Sequence, residues 1–107
     1  MERFYAFGKE YLSHTKNFPQ YSAIANQIQR SAISIPSNIA EGASRLSSVE
    51  FARYLEIAIG SAFELETQIE LSYYFQYIDE DNYKKLISDV VSVEKRISSV
   101  ISKIRTR

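Results

Sequence analysis

The sequence predicts an all-α protein, an antiparallel up-down four-helix bundle, on three observations. Apolar residues recur at alternating steps of three and four along most of the chain, the period of a helix packed along a seam. Only two prolines and three glycines are present to interrupt it. The connections between the resulting stripes are short, which makes neighbouring helices antiparallel. With 107 residues, the span 1–107 reads as a single domain, large enough for one core and small enough to gain stability from assembly.

The first helix is expected over about 2–17, with Phe4, Phe7, Tyr11 and His14 on its stripe and Phe18 after it. Pro19 ends it, because the residue before a proline is pushed out of the helical region. The second helix, about 20–42, carries Tyr21, Ile24, Ile28, Ala32, Ile35 and Ile39, and Gly42 can take the left-handed cap that closes it. Pro36 falls inside this helix and has no amide to donate to the Ala32 carbonyl, so the helix must kink or stop there. The stepping of Ile28, Ala32, Ile35 and Ile39 holds its phase across the proline, which favours one helix kinked at Pro36. Ser34 and Ser37 are then short hydroxyls for the backbone groups that the kink frees. The alternative has Ser34 capping a separate short helix.

The third helix, about 47–76, opens on Ser47-Ser-Val-Glu50, a capping box in which serine and glutamate satisfy orphan amide donors. Its seam is Phe51, Leu55, Ala58, Ala62, Leu65 and Ile69. Gly60 costs ~1 kcal/mol against alanine inside a helix, and its small neighbours Ala58, Ser61 and Ala62 suggest a close helix crossing that would explain it. The fourth helix, about 79–104, starts at Asp79, a carboxylate suited to free amides and to the positive helix terminus. Tyr83, Leu86, Val90, Val93, Ile97, Val100 and Ile104 form its seam.

Both long helices carry apolar residues outside their seams: Tyr54, Ile57, Ile59, Phe63 and Leu71 on the third, Ile87, Val91 and Ile101 on the fourth. A helix in a monomeric bundle needs roughly a 100° apolar face. A second interface, and so a homo-oligomer, accounts for the excess; a thick core closed by the flanking residues is the other account.

Charge bears on partners through its placement. Thirteen acidic and thirteen basic residues cancel, yet Lys95, Arg96, Lys103, Arg105 and Arg107 follow one another with no carboxylate between, while the middle of the chain is acidic. Those five cations with Arg45 and Arg53 are candidates for neutralising phosphates of structured RNA or DNA. Cations near a helix C-terminus also complement its dipole. The run Tyr73-Tyr-Phe-Gln-Tyr77 can supply stacking platforms for bases or plug one end of a bundle with Phe18, Tyr21 and Tyr83.

No catalytic chemistry is assembled. Cysteine is absent and His14 is the single histidine, so the paired Glu-x-x-His motifs of metal-binding bundles cannot form, and neither a metal nor a cofactor is expected. The serines lack a base and the glycines are too scattered for a phosphate loop. Glu64, Glu66 and Glu70 project at different angles and read as solvated or paired with cations. Antiparallel pairing of the second and third helices places Arg30 near Glu64 and Asn38 near Arg53, and a polar network is expected there. No apolar stretch approaches a membrane span and no export signal opens the chain, so a cytoplasmic protein with no membrane partner is expected.

Taken together, Gln27-Ile-Gln-Arg30, Ser34-Ile-Pro-Ser-Asn-Ile-Ala-Glu-Gly42, Arg45, Glu50-Phe51, Arg53, Gly60-Ser61 and Glu64-Leu-Glu-Thr-Gln68 resemble the four-helix bundle proteins encoded in intervening sequences of bacterial 23S ribosomal RNA. The resemblance covers roughly residues 15 to 104, and its structural motif residues are Arg30, Pro36, Asn38, Glu41, Gly42, Gly60, Glu64 and Glu66. It implies a closed ring of five bundles and no catalytic residues. It also implies kinship with the accessory variability determinant of diversity-generating retroelements, and with it nucleic-acid binding and a reverse transcriptase partner. Family members commonly start with a longer first helix bearing a tryptophan, which this sequence lacks. The function expected is a non-enzymatic pentameric scaffold that binds structured nucleic acid or a nucleoprotein; a protein-only adaptor is the alternative.

Overall fold

The computed structural model describes residues 23–106. They form three α-helices, α1 over Ala23–Ala43, α2 over Ser48–Tyr74 and α3 over Glu80–Arg105. The expectation of a four-helix bundle is thereby corrected to an all-α arrangement of three helices among the described residues. The remaining helix, expected over about 2–17, lies outside them. Its basis is the weakest of the four, a stripe of aromatic residues with Gly8 in its middle, and neither residue type favours helix on its own.

The three helices follow the seams read from the sequence. Ile28, Ala32, Ile35 and Ile39 of α1 are buried, as are Leu55, Ala58, Ala62, Leu65 and Ile69 of α2 and Leu86, Val90, Val93 and Ile97 of α3. The central helix α2 packs against both of the others. Ser34 meets Ser61 and Gly42 meets Phe51 and Tyr54, while Tyr73 meets Tyr83 and Glu56 meets Arg105; residue numbers that rise on one helix fall on the next, so consecutive helices are antiparallel. Beyond Ile97 the α3 seam drifts: Val100 is exposed and Ile101 packs against the core in its place. A 3.6-residue helix rotates away from a strict seven-residue repeat in this sense.

The proline does not split α1, which continues from Ala23 to Ala43 with Pro36 buried inside it. Next to the proline a side chain adds bonds to the helix, to Ser34 rather than to the Ala32 carbonyl that Pro36 leaves without a donor. Asn38 Nδ2 donates to the Ser34 carbonyl at 2.8 Å and to Ser34 Oγ at 3.0 Å. Ser34 Oγ also lies 2.8 Å from Ser61 Oγ across the α1–α2 contact. Ser34 thus ties two helices together rather than capping a new one. This hydroxyl pair, not Arg30 with Glu64 or Asn38 with Arg53, makes the polar link between α1 and α2.

Both glycine expectations need revision. Gly42 does not adopt a left-handed cap, since no glycine among the described residues has positive φ and α1 continues to Ala43. Its lack of a side chain serves close approach: a Cβ there would stand 2.7 Å from Tyr54 Cβ and 2.9 Å from Phe51 Cδ1. Of the small residues expected at a close crossing, Ala58 and Ala62 are fully buried and Ser61 meets Ser34, but Gly60 takes no part, and the approach that requires a glycine is at Gly42. At Gly60 an added Cβ meets nothing within 4 Å, because this position is turned away from both packed neighbours. Gly60→Ala should accordingly raise unfolding stability by about 1 kcal/mol through helix propensity, read from the urea midpoint at constant m.

The caps carry the remaining turns. Ser47 Oγ accepts the Glu50 amide at 3.1 Å at the start of α2, and Asp79 Oδ1 accepts the Asn82 amide at 2.8 Å at the start of α3. At the end of α2, Gln76 has φ of 63°, the Gln76 amide donates to the Tyr73 carbonyl at 2.9 Å and the Tyr77 amide to the Ser72 carbonyl at 2.8 Å. This pair of bonds is the Schellman closure. Its left-handed residue is a glutamine, so the expected helix over 47–76 stops at Tyr74 without a glycine to announce it.

Candidate functional site

The candidate cations separate into those that the fold occupies and those that it leaves open. Arg45, in the α1–α2 connection, pairs with Glu41, donates to the Tyr54 hydroxyl at 2.8 Å and lies 5.0 Å from the centre of the Tyr54 ring. Arg45 is thus a clasp over the hairpin that Gly42 closes. Arg105, in the last turn of α3, pairs with Glu56 of α2. Both have structural employment, which charge alone does not reveal. Arg107 lies outside the described residues, as does His14.

Lys95, Arg96 and Lys103 are exposed on α3, and Arg53 and Arg30 are exposed on α2 and α1. The α3 residues are organised by helix period. Ser88, Ser92, Lys95, Arg96 and Ser99 line one open groove of about 450 Å³. Lys103, one turn beyond Ser99, joins Arg96 and Ser99 on an adjacent groove floored by Ile39, Phe51, Leu55, Ile97 and Val100. No acidic residue follows Glu94 on α3. Cations and hydroxyls at steps of three and four residues from Ser88 to Lys103 form a strip about four turns long, and both groups bond phosphate oxygens.

The acidic candidates divide in the same manner. Glu64 and Glu70 are exposed, but Glu66 is half-buried and faces Glu94 of α3. Glu94 is only 7 % exposed, and its Oε2 is buried with no hydrogen-bond partner. Burial, then a hydrogen bond and charge repulsion from Glu66, push its carboxyl up to about 8. Sequence reasoning misses Glu94 because the carboxylates cluster in the acidic middle, far from it along the chain. A signal is present nonetheless: Glu94 stands four residues after Val90 and three before Ile97, steps that belong to the seam. Among the described residues no group of three or more potential metal ligands forms, and no helix is long and apolar enough to cross a membrane.

The excess apolar surface is partly absorbed. Ile59, Ile87, Val91 and Ile101 pack against the core, as the thick-core account requires. Ile57 and Phe63 are each 52 % exposed and Leu71 is 41 % exposed, so part of that surface persists along the outward side of α2. The aromatic run also divides. Tyr73 stacks on Tyr83 with ring centres 4.2 Å apart while staying 38 % exposed, and Tyr74 and Phe75 are more exposed still; Phe18 and Tyr21, the other expected members of a plug, lie outside the described residues.

These features sit on a shared framework. The chain is similar to a crystal structure of a protein of unknown function from the S23 ribosomal protein family of Bacteroides thetaiotaomicron, with a TM-score of 0.86 and 27 % identity over 94 % of this chain and 95 % of that one. No curated protein matches it. The model of the 23S rRNA-intervening sequence protein family matches residues 1–99, nearly the whole length and most of every helix described above, and the chain belongs to that family.

Proposed function

We propose that the protein is a non-enzymatic, homo-oligomeric scaffold, assembled as a pentameric ring, that binds structured nucleic acid through the α3 strip of Lys95, Arg96 and Lys103. The observation that carries the binding reading is the strip itself, in which three exposed cations and the hydroxyls of Ser88, Ser92 and Ser99 share one side of a helix. Arg53 is a fourth open cation; Arg45 and Arg105 contribute to the fold. The exposure of Ile57, Phe63 and Leu71 on α2 supports self-association. Repetition around a ring would convert a weak patch into useful avidity where several copies reach one nucleic acid. Kinship with the accessory variability determinant of diversity-generating retroelements belongs to the same proposal, with a nucleic-acid enzyme as further partner.

The test is the salt dependence of binding to a structured RNA. Affinity should fall steeply between low and moderate salt, and the triple variant Lys95→Ala, Arg96→Ala, Lys103→Ala should flatten the log–log slope by about one for each phosphate that is no longer neutralised. Affinity that ignores salt, or a slope unchanged in the variant, removes the strip from the reading. No shift of RNA at any salt would favour the protein-only adaptor, whose docking surface would be the exposed apolar residues of α2.

A further inference from the structure

Two carboxyl groups meet between α2 and α3, and among the described residues neither is held in an ion pair. Glu94 rides the edge of the α3 seam and is 7 % exposed; Glu66 approaches it from α2, and the two carboxyls interact directly. The other charged groups nearby are accounted for. Lys95 is the next residue on α3 and sits exposed at the rim of the same groove, and Arg105 is held by Glu56. Glu94 Oε2 is left buried with no hydrogen-bond partner, a condition that destabilises the unassembled chain.

The space in front of Glu94 is shaped for a particular kind of group. It is an open groove of about 460 Å³ walled by Ile59, Phe63 and Val91, with the hydroxyls of Ser98 and Ser102 along its lip. An apolar wall leading to a buried acid suits a side chain with an aliphatic stem and a cationic head. Phe63 is 52 % exposed, so the outer wall of the groove is uncovered; it lies on the flank of α2 next to α3, about a third of a turn around the helix from Ile57.

We propose that this groove receives a basic side chain from a second copy of the chain, which pairs with Glu94 and completes the Glu66–Glu94 site. The inference rests on the homo-oligomeric reading above and names the contact that such an assembly uses. That side chain is assigned to Arg53, which is exposed on α2 with Ile57 and Leu71 one and five turns further along the same helix. An Arg53 surface docking into a different surface is a head-to-tail contact, the kind that closes into rings. Because a cation favours the ionised carboxyl, assembly releases a proton, and association tightens as pH rises toward about 8, the value to which Glu94 is pushed in the single chain.

Sedimentation velocity of the full chain, with and without Glu94→Gln, tests this. The wild type should assemble, more tightly at neutral pH than in mild acid, and Glu94→Gln should weaken assembly by at least about tenfold and erase its pH dependence. A wild type that stays monomeric overturns the homo-oligomeric reading itself. A wild type that assembles while Glu94→Gln assembles equally well overturns only the site. If Arg53 is the partner, Arg53→Ala combined with Glu94→Gln should be no worse than either alone; additive losses overturn its assignment. Should Glu94→Gln fail to fold, calorimetric dilution of the wild type in buffers of different ionisation enthalpy still decides, since assembly without proton release contradicts the pairing.

Discussion

Raising the pH from about 5 to about 8 is expected to destabilise the unassembled chain, and Glu94→Gln is expected to remove most of that loss. The sign follows from proton counting. In the folded chain the Glu94 carboxyl titrates at about 8, whereas in the unfolded chain it returns to the ordinary carboxylate range near 4.3. Between those values the folded state holds a proton that the unfolded state has released. Stability contributed by this group is therefore fully present below the lower value, declines as pH rises through the window, and levels off above the upper one. The slope is on the order of 1 kcal/mol per pH unit, and the proton belongs to the Glu66–Glu94 pair rather than to one oxygen. Urea midpoints measured at dilutions that keep subunits apart should fall with pH for the wild type and stay nearly flat for Glu94→Gln. Parallel curves for the two proteins would mean that Glu94 ionises freely.

Gly42→Val should cost about 3 kcal/mol, the upper end of the usual range for overpacking, with Gly42→Ala losing less. The first added carbon would lie 2.7 Å from Tyr54 Cβ and 3.3 Å from the Phe51 carbonyl oxygen. Neither is the far end of a flexible side chain, so relief requires α1 and α2 to separate at their closed end. That movement also carries Tyr54 away from Arg45, which donates to its hydroxyl. Helix propensity works against the prediction, because alanine gains up to about 1 kcal/mol over glycine in a helix. The clash outweighs it. Thermal or urea unfolding of Gly42→Val at or above wild-type stability would show that the two helices can part cheaply, and would remove the close approach as the reason for a glycine at this position.

The sequence is most informative where periodicity speaks. Buried Ile28, Ile35, Leu65 and Ile97 all stand on seams set by their spacing, and Ser47 and Asp79 cap the helices that their side chains announce. It is least informative where the outcome depends on what lies across a helix contact. Gly42 and Gly60 are alike as residues, yet only Gly42 has another helix at its Cβ position. Arg45 and Lys95 carry the same charge, but one is folded onto Tyr54 and Glu41 and the other lines an open groove. Glu66 is legible as part of an acidic helix, and its partner is not, since the meeting with Glu94 depends on the pairing of α2 with α3. Gln76 shows a further limit, because a left-handed helix end built on glutamine has no residue signature.

The stack of Tyr73 on Tyr83, with ring planes 12° apart, gives the molecule an internal optical gauge. The chain contains no tryptophan, so its near-ultraviolet circular dichroism comes from tyrosine and phenylalanine alone. Two phenol rings held 4.2 Å apart couple their transitions and lose that coupling when α3 swings off α2. Loosening of this single helix hairpin can therefore be followed spectroscopically without a label.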